Sequence, residues 1–416
     1  MIRFLKNLAH LFVAIVAVVF YRFPGETMTV IGVTGTSGKT TTAHLIYEIL
    51  KSAGEKVSII SSVNAIINGK IYDTGFHVTT PNAIKLQKFM RTAANGGCKY
   101  FIIEITSHAI DQQRIWGSSI DVAVVTNVTH EHLDYHKTFD RYRTTKAKIL
   151  SLAKFCVLNK DDAAFNFLKK KVKGQLWSFS TDQQADITPS TISAQTILLG
   201  KFNLSNSLAA VAVAKILKIE DQIIVKTISN FIGVPGRMEE INSPNNKRIL
   251  IDFAHKPDAL LAALEAAREV TKKNLIAVFG SAGLRDKQKR PMMGEIAAKC
   301  ADYIVLTAED PRTEDVRKII DEIAQGCLKG QAKEADKVNL EPKILNNGKK
   351  YFWRIPDRQE AINFAIRKLA KNGDLVIICG KGHEKSMCWG NIEFPWDEFK
   401  AVEKALYGSV KTSPQL

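Results

Sequence analysis

The sequence predicts an α/β protein of two main domains, and three observations predict it. From Thr29 onward, short β-branched runs alternate with amphipathic helical stretches, the pattern of parallel strands joined by crossover helices. A glycine-rich loop, Gly32 to Thr41, falls between the first such strand and the first such helix. Gly233-Val234-Pro235-Gly236 then interrupts the helical pattern, and a second series of strands and helices begins.

Before the first strand, Leu11 to Tyr21 is an unbroken apolar run with Arg3 and Lys6 ahead of it. It is about half the roughly 20 residues a bilayer-spanning helix needs, and no small-x-small cleavage site follows, so export is not expected. Two readings stay open for it. The basic flank and aromatic end, Phe20, Tyr21 and Phe23, suit a helix lying on the inner face of a membrane, giving peripheral contact through residues 1–23. A helix packed on the protein's own body fits the same length.

Thr29 to Val33 reads as a buried strand, and the helix after the glycine loop sets Leu45, Ile46, Ile49, Leu50 and Ala53 on one face. Val57 to Ser61, Tyr100 to Ile105 and Asp121 to Asn127 continue the same sheet. In the second series the strands are Arg248 to Phe253, Asn274 to Gly280, Tyr303 to Thr307 and Asp374 to Cys379, with helices such as Asp258 to Val270 and Asp357 to Ala370 between them. Lys329 to Lys349, polar and aperiodic, is expected to be a long surface loop. The expected division is 1–28 as an apolar helical segment, 29–232 and 233–408 as the two domains, and 409–416 as a tail.

Composition narrows the function. The 416 residues are 45% hydrophobic and 24% charged, a globular balance. The six cysteines form no C-x-x-C pair, which argues against a zinc knuckle or a disulfide framework and for a reducing cytoplasm. A net charge of +16 attracts nucleic acid, anionic membrane and phosphorylated or carboxylated small molecules alike. No RNP-like aromatic string or basic helix-turn-helix pattern accompanies it, and Lys169-Lys170-Lys171 reads as a solvated face, so nucleic acid is not the expected partner.

The chemistry-bearing residues begin with Gly32-Val33-Thr34-Gly35-Thr36-Ser37-Gly38-Lys39-Thr40-Thr41. Glycines let backbone N–H groups curl around phosphate oxygens, Lys39 neutralises β/γ charge, and Thr40 can ligate magnesium. Val33 stands where the strict phosphate-loop pattern has its first glycine. Glu104 ends an apolar strand, where a carboxylate projects toward the ligand crevice as a metal ligand or simply meets solvent. Thr126 to His136 packs His130, His132 and His136 with Glu131 and Asp134 just after another strand, either as a magnesium and phosphate site or as a capped, solvated loop.

From about Thr29 to Tyr407 the chain resembles the Mur ligases, and within them the tripeptide synthetases that add the third residue of the peptidoglycan stem. Besides the phosphate loop and Thr126 to His136, the resemblance is carried by Thr79-Thr80-Pro81, Glu104-Ile105-Thr106-Ser107-His108-Ala109, Asn203-Leu204-Ser205-Asn206 and Gly233 to Glu239. Asp252-Phe253-Ala254-His255, Gly280 to Lys287, Glu309-Asp310-Pro311-Arg312 and Gly380-Lys381-Gly382-His383-Glu384 complete it.

The resemblance implies a central P-loop ATPase-type domain and a Rossmann-like C-terminal domain. It implies ATP and two magnesium ions, with Thr40, Glu104 and His132 as metal ligands and Lys146 carbamylated. A carbamate would turn that cation into an anionic oxygen ligand, with Lys148 next door as the unmodified comparison. Gly35, Thr36, Ser37, Gly38, Lys39, Thr40 and Thr41 would hold the phosphates. Asn203 and Asn206 would meet adenine; read alone, they would be a helix cap. Asp252 would meet the ribose, and Arg237 and His255 the γ-phosphate between domains. Thr79, Thr80, Thr106, Ser107 and Arg114 would hold the muramoyl-peptide acceptor, and Asp310, Arg312, Gly380 and Glu384 the free amino acid.

The implied reaction has two steps. The acceptor carboxylate attacks the γ-phosphate to give an acyl-phosphate, and an amine then displaces phosphate while domain closure excludes water. Diaminopimelate-adding members carry Asp-Asn-Pro-Arg where this chain has Glu309-Asp310-Pro311-Arg312. The retained arginine favours diaminopimelate over lysine, with Arg312 clamping the distal carboxylate, while Asp310 brings a negative charge. Only 31 residues precede the phosphate loop, where tripeptide synthetases carry a domain for the UDP-sugar. The expectation is that this domain is lacking and that the acceptor is UDP-N-acetylmuramoyl-L-Ala-D-Glu-like; one alternative hypothesis is that the short helix instead holds the enzyme near a lipid-linked or truncated acceptor. Rival readings are a folylpolyglutamate-type ligase and a non-catalytic ATP-binding scaffold. Against the scaffold stands the retention of Lys39, Glu104, His132 and Lys146 together.

Overall fold

The computed structural model describes residues 2–73, 75, 79–129, 131–192, 196–244, 247–336 and 348–408, with the side chains of residues 2–5, Leu133 and Asp134 left out of the description. His130, the Asp134 side chain, most of the expected 329–349 loop and the 409–416 tail therefore lie outside the described residues. The chain divides into two compact units, Met1–Ile232 and Gly233–Leu416.

The first unit opens with α1 (Ile2–Phe20), longer than the apolar run alone. It packs on α3 (Ala83–Asn95). Ala14, Ala17 and Val18 are buried, and a Cβ on Gly117 would come within 2.6 Å of Val18 Cγ2, so only glycine admits that approach. The Arg91 guanidinium donates to the carbonyls of Tyr21 (2.8 Å) and Arg22 (2.6 Å), which pins the end of α1. Among the described residues no helix is long and apolar enough to cross a membrane.

The sheet of this unit contains β1 (Thr29–Thr34), β2 (Val57–Ile60), β3 (Ala65–Ile67), β4 (Lys70–Tyr72), β5 (Tyr100–Glu104), β6 (Ile120–Val125), β7 (Phe155–Asn159) and β8 (Gln175–Phe179), ordered β4-β3-β2-β5-β1-β6-β7-β8. All neighbours from β2 to β8 run parallel, while β3 and β4 fold back antiparallel. The chain leaves β1 toward β2 and β5 on one side and reaches β6 on the other. The carboxyl end of β1 is thus a topological switch point, where the ends of flanking strands leave a crevice. Register sets Val33 opposite Glu104, so the acid stands beside the glycine loop.

Helix α2 (Lys39–Ser52) follows the loop. The sequence gives it one apolar face, yet it is buried from Thr40 to Tyr47 as well as at Ile49 and Leu50, because α8 (Lys201–Ile216) and α9 (Asp221–Asn230) also cover it. Between α3 and α8 lie α4 (Ser107–Asp111), α5 (Leu133–His136), α6 (Phe139–Ala147) and α7 (Phe165–Lys169). The expected strands of this unit form with ends within two residues. The short strands β3, β4, β7 and β8 were not expected; they are too brief, or too mixed in polarity, to show a period.

The second unit holds β9 (Glu239–Ile241), β10 (Arg248–Asp252), β11 (Leu275–Phe279), β12 (Tyr303–Leu306), β13 (Lys333–Glu334), β14 (Tyr351–Arg354) and β15 (Leu375–Cys379). Their order is β13-β14-β12-β11-β15-β10-β9, parallel except for β9. Helices α10 (Pro257–Glu269), α11 (Lys289–Cys300) and α12 (Val316–Lys329) serve as crossovers, and β16 (Ser386–Trp389) pairs with β17 (Ile392–Pro395) as a separate hairpin. The expected helix 357–370 is Arg358–Asn363 running into a wider π turn, Phe364–Leu369. The stretch expected as one long loop after Lys329 contains β13, because β14 offers it a free parallel edge.

Candidate functional site

The glycine loop is held open by its own special backbone. Gly35 and Gly38 have φ of 156° and 81°. A Cβ on Gly35 would meet Thr126 Oγ1 at 1.9 Å, and one on Gly38 would meet Asn206 Oδ1 at 2.1 Å, so neither position admits a side chain. The segment after β6 props the loop from beneath. Ser37 N–H donates to Asn127 Oδ1 (2.8 Å), the Thr126 hydroxyl donates to the Ser37 carbonyl (2.6 Å), and Thr36 Oγ1 lies 3.0 Å from the buried Tyr142 hydroxyl. Lys39 Nζ curls back to the carbonyls of Gly35 and Thr36, each at 3.0 Å, where a phosphate would draw it outward.

Thr40, at the start of α2, donates to Glu104 Oε1 (3.1 Å), and Glu104 Oε2 accepts from Ser62 N–H (2.9 Å). Glu104 is buried, which rejects the solvent-facing reading of a strand-end acid. Lys146 is buried too, with its amine donating to the Gly35 carbonyl (2.7 Å) and lying 4.9 Å from the Tyr142 ring centre, whereas Lys148 is exposed. Thr40, Glu104 and Lys146 thus converge on the glycine loop. His132 takes a left-handed backbone (φ 54°), sits 3.2 Å from Glu131 Oε1 and stacks edge-on to His108, its ring 6.2 Å from that of Tyr142. Burial pushes the Tyr142 phenol well above its usual range, aided by the Glu131 charge, so it stays a neutral hydrogen-bonding group.

Magnesium asks for hard oxygen ligands. Among the described residues no three His, Cys, Asp or Glu side chains cluster as a metal set. The expected set has two such residues, Glu104 and His132, beside the Thr40 hydroxyl and Lys146. The 3.1 Å Thr40–Glu104 contact fits a shared oxygen ligand pair.

Asn203 and Asn206 lie inside α8 rather than at its cap, which is Gly200. Asn203 Nδ2 donates to the Leu199 carbonyl (2.8 Å), Asn206 Nδ2 to Asn203 Oδ1 (3.2 Å), and Asn206 Oδ1 accepts from Thr42 (3.4 Å), so the pair sits against the loop's helix end. Thr41 is buried in the first turn of α2.

The residues expected to hold the acceptor form a neighbouring cluster. Thr80 Oγ1 donates to the Glu104 carbonyl (2.9 Å) and accepts from Thr106 N–H (3.0 Å), and Thr106 caps α4 through Ala109 N–H (3.2 Å). Arg114 Nη1 donates to the Thr80 carbonyl (2.9 Å), and Ser107 Oγ lies 3.0 Å from His136 Nε2. Thr79 is half-buried and makes no described hydrogen bond. Beside Thr80 a cavity of about 380 Å³ is lined by Pro81, Asn82, Lys85, Gln112, Arg114 and, from α1, His10 and Val13.

In the second unit, candidate residues gather at the carboxyl ends of β10, β12 and β15. Asp252 accepts from Met238 N–H (2.8 Å) and Ala254 N–H (2.7 Å); burial raises its pKa, opposed by the Arg237 charge. Arg237 lies over the Phe253 ring at 4.3 Å, and that ring packs against His255 (4.6 Å) and His383 (5.0 Å). Asp310 Oδ1 accepts from Lys381 Nζ (2.9 Å) and Cys388 N–H (3.0 Å), so its charge is spent on a buried lysine. The same Lys381 reaches Glu384 Oε2 at 2.6 Å. Arg312 (φ 55°) is bonded through its backbone to Cys388 and Gly390 of the hairpin. Glu309 is buried against Gly380, and burial first, opposed by Lys289, takes its carboxyl up to about 7. Sequence reasoning missed Ser62, Tyr142 and Lys381 as parts of these clusters. Lys381 lay within a quoted motif, but nothing in the order of residues shows that it reaches Asp310.

A phosphate-type loop at a switch point, with a buried acid and lysine converging on it, defines a nucleotide-dependent enzyme of the α/β class. Residues 33–214 match the Mur ligase middle domain and residues 236–382 the Mur ligase glutamate ligase domain. A UDP-N-acetylmuramoyl-L-alanyl-D-glutamate–2,6-diaminopimelate ligase of Geobacillus thermodenitrificans is 34% identical over 94% of this chain and 81% of its own. The one of Aquifex aeolicus is 36% identical over 94% and 80%. A UDP-N-acetylmuramyl-tripeptide synthetase of Roseiflexus is 35% identical over 96% and 82%. A solved structure of such a diaminopimelate ligase superposes with a TM-score of 0.59 at 30% identity, over 92% of this chain and 78% of that one. E. coli FolC in complex with DHPP and ADP shares the fold alone, with a TM-score of 0.65 at 17% identity over 88% and 89%. The chain belongs to the Mur ligase family of ATP-dependent ligases, among the tripeptide synthetases.

Proposed function

We propose that this enzyme joins meso-diaminopimelate to a UDP-N-acetylmuramoyl-L-Ala-D-Glu acceptor at the cost of ATP, in peptidoglycan precursor synthesis. The observation that carries the reading is the buried Lys146 amine on the Gly35 carbonyl, beside the Thr40–Glu104 contact. A lysine placed there suits carbamylation, which would supply an oxygen ligand where an ammonium would merely add charge. Thr40, Glu104, His132 and carbamylated Lys146 would hold two magnesium ions, whose chemistry is to neutralise charge on the phosphates.

Gly35 to Thr41 cradle the phosphates through backbone N–H groups, and Lys39 swings from its own loop carbonyls to the β/γ oxygens. Asn203 and Asn206 are the adenine contacts of this proposal and Asp252 the ribose contact, with Arg237 and His255 assigned to the γ-phosphate. Thr79, Thr80, Thr106, Ser107 and Arg114 orient the acceptor so that its carboxylate attacks the γ-phosphorus of ATP and forms an acyl-phosphate as ADP leaves, and the amine then displaces inorganic phosphate to form the amide. Glu384 takes the incoming amine, Arg312 the distal carboxylate of diaminopimelate, and Gly380 leaves space for it. The pairing of Asp310 with Lys381 supports this choice, because it neutralises the charge that distinguishes this motif from the amide-bearing one. The enzyme works in the cytoplasm, and residues 1–23 reach the inner face of the membrane.

Incubation of the pure protein with ATP, magnesium, the UDP-acceptor and either diaminopimelate or lysine, read by product mass and ADP release, tests the proposal. A diaminopimelate tripeptide with equimolar ADP is expected. A lysine product alone would overturn the amino-acid assignment, and ADP formation only with a folate acceptor would overturn the class.

A further inference from the structure

On an ordinary surface helix the apolar stripe faces the core and the polar side faces water. Helix α1 is apolar on both sides. Ala14, Ala17 and Val18 face the body, while Leu8 (54% exposed), Phe12 (68%), Val16 (51%), Val19 (56%) and Phe20 (74%) face solvent. Leu8, Phe12, Val16 and Val19 follow at spacings of four, four and three residues, so they form one outward stripe along the helix. The helix cannot turn this stripe inward, since Arg91 holds the Tyr21 and Arg22 carbonyls and Asn7 Nδ2 donates to Asp111 Oδ2 at 3.2 Å.

Charge selects what covers the stripe. The first 25 residues contain Arg3, Lys6 and Arg22 and not one acid; the first carboxylate is Glu26. Lys6 and Arg22 are exposed at the two ends of the stripe, as is Lys88 on the helix that α1 packs against. A protein partner or a second copy would find no carboxylate on α1 to pair with its own cations, whereas an anionic bilayer offers acyl chains to the stripe and headgroup charge to its flanks. Packing along the body also keeps α1 parallel to the protein surface, in the attitude of a helix lying in an interface.

We propose that the outer face of α1 docks this enzyme on anionic lipid, with Leu8, Phe12, Val16, Val19 and Phe20 entering the headgroup boundary and Lys6 and Arg22 contacting lipid phosphate. The inference rests on the membrane part of the reading above and names its surface and lipid class. Because His10 and Val13 of the same helix line the cavity beside Arg114, docking brings that cavity to the membrane surface.

The test is co-sedimentation of the full chain with vesicles of phosphatidylcholine alone and of phosphatidylcholine with phosphatidylglycerol. Binding to the phosphatidylglycerol vesicles, weakened by salt, is expected for the wild type. The double substitution Phe12→Glu with Val16→Glu should lower partitioning by roughly tenfold or more, while thermal unfolding and turnover of the soluble acceptor stay as in the wild type. Equal, background-level sedimentation with both vesicle types, or unchanged binding of the double variant, overturns the proposal. So does a dimer by light scattering that the same substitutions dissociate in the absence of vesicle binding. Vesicle binding needs no turnover, so its failure and a failure of the ligase assay are read separately.

Discussion

Arg358 and Glu398 form an ion pair with both side chains fully buried, and the same guanidinium donates to the carbonyls of Ala308 (2.9 Å) and Cys379 (2.8 Å). Those carbonyls immediately precede Glu309 and Gly380, the first residues of the two loops assigned to the incoming amino acid. One side chain thus fixes the spacing of both loops. Trp396 Nε1 completes the pair by donating to Glu398 Oε2 (2.7 Å).

Breaking a buried pair leaves an uncompensated charge, so Arg358→Ala should cost about 3–5 kcal/mol of stability. Arg358→Lys keeps the charge but cannot bridge two carbonyls and a carboxylate at once. For that variant we predict a raised KM for the amino acid with little change in KM for ATP, measured by steady-state kinetics. Equal changes in both would reduce Arg358 to a general stabiliser.

Lys146→Ala should lower turnover on the order of 100-fold or more, the scale for losing a positioned charge-stabilising group, while nucleotide binding by calorimetry is retained. Lys148→Ala, on the exposed neighbour, should behave as wild type. A carbamate signal from labelled bicarbonate that vanishes only in the Lys146 variant would confirm the modification.

The Glu309 carboxyl, raised from 4.5 to about 7, makes a pH-dependent contribution of defined sign. Below the lower value both states carry the proton. Between the two, the unfolded chain ionises while the native chain holds its proton, so stability falls as pH rises through this window. The penalty is complete above the upper value and reaches about 3 kcal/mol at most. Glu309→Gln should therefore gain stability relative to wild type as pH increases across the window, as read from denaturant midpoints; a pH-independent difference would show that Glu309 titrates normally.

Asp310→Asn removes one partner of Lys381 but leaves Glu384 at 2.6 Å and preserves an acceptor for Cys388 N–H. We expect a loss of about 1–3 kcal/mol and no shift in preference between diaminopimelate and lysine. A switch in a competition assay would mean that the Asp310 charge does reach the amino acid.

The sequence by itself determined the α/β class, the strands that end at the chemistry and the family, because these depend on local order. β-branched runs, a glycine loop directly after the first of them and short motifs such as Gly380 to Glu384 are contiguous and need no folding to be read. Tertiary structure alone decided which motifs touch. That Lys146 reaches Gly35, that Glu104 holds Thr40 and Ser62, and that Lys381 neutralises Asp310 depend on strand order and register, which bring together residues 42 to 111 positions apart. The same holds for α1. Its apolar run was plain in the sequence, but both faces being apolar made the buried side ambiguous, and only packing of Ala14, Ala17 and Val18 against the body left Phe12 and Val16 facing out. Hydrophobic pattern specifies that a surface must be covered; the partner that covers it is fixed by shape.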